Sequence, residues 1–210
     1  MTLAYKLPVW AEYEHLTAKV SDEQFNAFVE QHASQALRYE HLCSRMSDDQ
    51  FRACVETCTL GALEYPHARA RLNDELFDLC IRKWSGWALR NVFICVRLNA
   101  EQFDYCVRDS PFTALVHEHS CSRLSEDQFN FCVIGNPKYA LNYEYICRRL
   151  NDEQFNICLK KRVVNNVLNY EHIYSRLSDI QFDDYIKKLG IPNLVISKMN
   201  TYQRAALVEE

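Results

Sequence analysis

Hydrophobic and polar positions return at a long, fixed interval along this chain. Phe25, Phe51, Phe77, Phe103, Phe129 and Phe155 stand 26 residues apart, and Phe182 follows after one extra residue. Three residues past five of them come Cys54, Cys80, Cys106, Cys132 and Cys158, each followed by Val, Ile or Leu. That i, i+3, i+4 spacing lays one apolar stripe along a helix of about ten residues. Just before each stripe stand Ser or Asn, one or two acids in most cases, and usually Gln, as in Ser21-Asp22-Glu23-Gln24 and Asn151-Asp152-Glu153-Gln154. This is a capping box, in which the first side chain accepts an orphan backbone N–H, the Gln reaches back, and the acids face the positive end of the helix dipole. Pro111, Pro137 or a polar turn then interrupts. A segment of the type Ala-Leu-x-Tyr-Glu-His-x-Cys predicts a second helix, ending at Arg45, Arg71, Arg97, Arg123, Arg149 or Arg176.

The repeats run 21–46, 47–72, 73–98, 99–124, 125–150, 151–177 and 178–199, with a half-repeat cap over 7–20 and a polar cap over 200–210. Two short helices cannot bury their faces alone, so neighbouring repeats are expected to stack around one continuous core. The prediction is an all-α chain, an α-solenoid of about seven helix-turn-helix repeats in a single domain. The array resembles helical-repeat scaffolds as a class and is similar to short helical repeats of uncharacterised bacterial and phage proteins. The period is shorter than those of tetratricopeptide, ankyrin and HEAT repeats, so no function transfers from them.

Composition narrows the functional classes. Four glycines and five prolines in 210 residues are few and scattered, so no G-x-G-x-x-G, P-loop or G-x-S-x-G elbow can be written. A net charge of −4 argues against a dedicated nucleic-acid binder. The first ten residues hold no signal-peptide run and no window reaches transmembrane length, so a cytoplasmic protein is expected.

Ten cysteines suit a core better than a disulfide framework, because equivalent helices sit about 8–10 Å apart and disulfide-linked Cα atoms within about 7 Å. His15, His41, His67, His119 and His172 share one position, which points to a contact between stacked helices. His117 and Cys121 share a helix face, but two ligands are half a zinc site. No metal, cofactor or catalytic residue is expected, since the acids fall where helix initiation accounts for them. Glu at position 20 of a repeat is expected to neutralise the Arg column.

Recognition is expected where the pattern breaks. Repeat three replaces the polar turn with Arg82-Lys83-Trp84-Ser85-Gly86-Trp87 and the Tyr-Glu-His segment with Asn91-Val92-Phe93. Arg82, Lys83, Trp84, Trp87, Arg90 and Phe93 are therefore the expected protein-binding residues, of types that concentrate interface energy. Lys138, Lys160, Lys161 and Arg162 form a secondary basic patch that would serve the alternative, nucleic-acid binding through the Arg column.

Overall fold

The computed structural model describes residues 8–161 and 170–188. Among them every regular element is a helix and no strand occurs. Arg162, the end of the seventh repeat and the expected cap over 200–210 lie outside the described residues. The chain divides into two compact units, Met1–Cys106 and Val107–Glu210.

The period contains three helices where the sequence predicts two. In repeat one they are Asp22–Gln31, Ala33–Arg38 and Glu40–Arg45, and repeat two has Asp48–Thr57, Thr59–Glu64 and Pro66–Arg71. The first break falls at position 12, where His32, Cys58 and Trp84 hold φ near −132° with ψ between 44° and 63°. The second falls at position 19, where Tyr39, Tyr65 and Asn91 are extended. Pro66 explains that break in repeat two, because a proline pushes the preceding residue out of the helical region and is itself at home in the first turn. In repeat three Asn91 caps the third helix, accepting from the Phe93 and Ile94 N–H groups, while Tyr39 and Tyr170 turn their rings toward the ring two places on, with centroids 5.7 Å apart for Tyr39–His41 and 5.5 Å for Tyr170–His172.

The caps form as the pattern requires. Ser47 Oγ accepts from the Gln50 N–H at 3.2 Å while Gln50 Oε1 accepts from the Ser47 N–H at 3.0 Å. Ser125 with Gln128, Asn151 with Gln154 and Ser178 with Gln181 repeat the exchange. Asn73 accepts from the Leu76 N–H but gets no side chain in return, because Leu76 stands in place of Gln.

Inside the N-terminal unit, first helices pack on first across repeats one to three, and second on second and third on third across repeats one and two. The same holds for the first and second helices of the C-terminal unit. The core is lined by the Phe stripe and by the Ala-Leu pairs of the second helices, with Leu37, Leu63, Leu89, Leu115 and Leu141 all at 0% exposure. Nine of the ten cysteines are buried free thiols and Cys58 is half-buried. Burial pushes the Cys80 and Cys132 thiols up to about 12 and those of Cys54, Cys121 and Cys158 to about 11.

Candidate interaction surface

Two kinds of contact join successive repeats among the described residues, and they set repeat three apart from repeats one, two and six. The shared one is an arginine rung. Arg45 reaches the preceding segment, donating to the carbonyls of Thr17 (2.5 Å) and Val20 (2.9 Å), and binds Asp22 at 2.8 Å. Its guanidinium lies over the Phe25 ring, 4.4 Å from the centroid. Arg71 does the same with Cys43, Met46, Asp48 and Phe51, and Arg149 with Cys121, Leu124, Glu126 and Phe129. Arg176 makes the same contacts with Cys147, Leu150, Asp152 and Phe155. Each rung thus satisfies carbonyls left open at a helix C-terminus and complements the dipole there. The carboxylate that answers it is the acid at position 2, which corrects the expectation that Glu at position 20 does so.

The histidine position is a second tie. Nε2 of His41, His67 and His172 meets the carbonyl of Ala11 (3.2 Å), Leu37 (2.8 Å) and Leu141 (3.0 Å) respectively. In repeat three the position is Phe93, which has nothing to donate. The carbonyl it would have met, that of Leu63, accepts instead from Arg69 Nη1 at 3.1 Å, and the same guanidinium lies 5.9 Å from the Phe93 ring centroid. A matching exchange occurs on the first helices. Gln50, Gln154 and Gln181 donate to Asn26, Asn130 and Asn156 of the repeat before, whereas Leu76 cannot. There Arg52 makes a two-pronged pair with Glu75, both bonds 2.9 Å.

The six residues expected to bind a partner divide by what they touch. Arg82 is tied to Asp78 at 2.6 Å and lies 5.0 Å from the Tyr105 ring centroid, and Lys83 donates to the Glu56 carbonyl at 3.5 Å. Both line a groove whose walls include Glu56, Glu75 and Asp78, so their charge is answered locally. Trp84 is 41% exposed, yet its indole N–H donates at 3.0 Å to Thr59, a buried hydroxyl. Trp87 is half-buried and Arg90 exposed. Phe93 belongs to another edge, the third helix Val92–Cys95, and is 69% exposed.

That edge is the departure the sequence reading understates. Val96, 66% exposed, joins Val92 and Phe93 there, and Pro66 and Ala70 stand exposed at the equivalent positions of repeat two. At the same positions repeat one carries Glu40 and Ser44, and with His41 and Arg45 they line a polar cleft beside Glu14. Repeat six carries Glu171, His172 and Ser175 around a cleft of the same kind. The pairing of Val92 with Val96 at i, i+4 is a signal the sequence contains.

In the C-terminal unit, Phe131 and Ile134 face outward from helix Glu126–Gly135, 50% and 59% exposed, and Phe112 meets Tyr139 edge-on with centroids 4.9 Å apart. Lys138, Lys160 and Lys161 are exposed, the last two in the final turn of helix Asp152–Lys161, where cations suit the dipole. No group of His, Cys, Asp and Glu among the described residues could hold a metal ion. Comparison with protein-family models, curated proteins and solved structures gives no match.

Proposed function

We propose that the chain is a non-enzymatic protein-binding scaffold, an α-solenoid of stacked 26-residue repeats that works in the cytoplasm. The observation that carries this reading is the exposed Val92-Phe93-Val96 edge, apolar where repeats one and six are polar. Contiguous apolar surface of this kind, rimmed by polar residues, marks interaction sites in soluble proteins. Aromatic and arginine side chains, here Phe93 with Arg69, are the types that concentrate binding energy. The stacking of equivalent helices within each unit supports the solenoid, since a repeat array buries its core only against its neighbours. The buried thiols support a reducing compartment. The rung guanidiniums of Arg45, Arg71, Arg149 and Arg176 are engaged with carbonyls and carboxylates, which weakens the case for a phosphate track and leaves nucleic-acid binding chiefly to Lys138, Lys160, Lys161 and Arg162.

The test is a photo-reactive benzoylphenylalanine at position 93 in the living cell, with the same residue at position 41 as control. A covalent adduct to another protein, several times stronger at 93 than at 41, is expected. Equal adducts at both positions, or adducts removed by nuclease, would overturn the reading.

A further inference from the structure

We infer that the third-helix edge of repeats two and three binds a short peptide segment in which an apolar anchor is flanked by carboxylates; this rests on the scaffold reading above. The apolar half of the argument is the surface already described: Val92, Phe93 and Val96, continued by Pro66 and Ala70 one repeat earlier.

The charged half comes from the groups around it. Position 20 carries Glu40, Glu118, Glu144 and Glu171 elsewhere, but Pro66 and Val92 in these two repeats, so the edge has lost its own carboxylates here. Three cations remain. Arg69 lies beneath Phe93 with one Nη spent on the Leu63 carbonyl. Arg90, two residues before Val92, is exposed and makes no ion pair or side-chain hydrogen bond among the described residues. Arg97 is a rung of a different kind. It donates to the carbonyls of Arg69 (3.1 Å) and Leu72 (3.0 Å), as the others do, but holds no carboxylate, whereas Arg45, Arg71, Arg149 and Arg176 each do. It is also exposed where those four are half-buried. By register two acids stand beside these three cations: Glu64, at the position Arg90 occupies a repeat later, and Asp74, at the place from which Asp48 meets Arg71 but here without an ion pair to Arg97.

An apolar ligand alone would leave Arg90 and the outer face of Arg97 unanswered, and a purely acidic one would leave Phe93 and Val96 in water. A segment with both features satisfies the whole edge, because guanidinium pairs with carboxylate in a two-pronged, charge-assisted contact while the anchor covers the apolar trio.

The experiment is selection of a display library of random twelve-residue peptides on the full chain, counter-selected on the V92E/F93H/V96S variant. That variant restores the residue types of repeat one, so it keeps the fold, and circular dichroism checks that it does. Enrichment of peptides with Phe, Trp or Leu beside Asp or Glu is expected, and Arg90→Glu should weaken the best of them about tenfold or more. Enriched peptides that are apolar without acid, or basic, would overturn the charge argument and leave the scaffold reading standing. No enrichment over the variant would remove this edge as a peptide site, and a positive photo-adduct at position 93 would then still support the scaffold. Concentration-dependent dimerisation abolished by the same triple change would identify a second copy of this chain as the occupant instead.

Discussion

The third-helix edges of repeats one and three have the same backbone role and opposite surfaces. In repeat one, Glu40, His41 and Ser44 surround a polar cleft and His41 ties the edge to the Ala11 carbonyl. In repeat three, Val92, Phe93 and Val96 turn an apolar surface to water, and Arg69 has taken over the carbonyl that a histidine would have held. The difference teaches that the tie between repeats and the chemistry of the outer face are separable. A backbone carbonyl must be satisfied from somewhere, but the donor need not be the outward residue. Once Arg69 supplies the bond from inside, position 93 is free to carry a residue chosen for something else.

Four perturbations test whether tie and outer face are separable. Raising the pH strikes a core thiol in each of repeats two to six and is the largest expected effect. An unfolded thiol ionises near 9, whereas Cys54, Cys80, Cys121, Cys132 and Cys158 are held neutral to about 11 or 12 in the fold. The stability these groups supply is whole below about 9 and is lost as pH rises through that window, because the unfolded chain then binds fewer protons. Urea midpoints at pH 8 and 10.5 measure it, and Cys80→Ala should show a smaller fall than the parent.

Next comes a rung. Arg71→Ala opens two carbonyls, frees Asp48 and uncovers Phe51, at a cost of about 2–4 kcal/mol from charged hydrogen bonds and the ring contact together. Arg71→Lys should recover less than half, since an ammonium cannot fork between the two carbonyls. Both are read by urea unfolding, and an unchanged midpoint for Arg71→Ala would show the rung to be ornamental.

Smaller, but most pointed, is the exchange between Arg69 and Phe93. Arg69→Ala leaves the Leu63 carbonyl open and should cost about 1–2 kcal/mol. Adding Phe93→His should restore most of that, as His67 does for Leu37. A double-mutant cycle that closes with no coupling would mean the two positions do not share that carbonyl.

The smallest expected change in stability is that of V92E/F93H/V96S, within about 0.5 kcal/mol as for other exposed substitutions. A large loss would show that the apolar edge belongs to the fold and is not displayed for a partner.

The repeated features were open to sequence reading because they are local or periodic. Ser47 and Gln50 lie three residues apart, so their cap follows from helix geometry alone, and Phe51, Cys54 and Val55 lie on one face by the same arithmetic. The break inside the expected second helix was legible at Pro66 and at Asn91, a cap residue; at Tyr39 and Tyr143 nothing in propensity announces it. Trp84 looked like a surface anchor, and its bond to Thr59 depends on a residue 25 places earlier.

Residue order thus fixes the period, the helix starts, the core stripe and the repeat that departs from the rule, since each is read from spacing along the chain. Packing in three dimensions settles which carboxylate answers the rungs of Arg45, Arg71, Arg149 and Arg176 and leaves Arg97 without one, which donor serves the Leu63 carbonyl, and which side of repeat three meets water. The rung carboxylates lie 23 or 24 residues from their arginines, and the Leu63 carbonyl takes a donor six residues on in place of one thirty residues on, so spacing fixes neither choice. Competition for a buried carbonyl, or for a face against the neighbouring helix, is resolved only when the helices are packed.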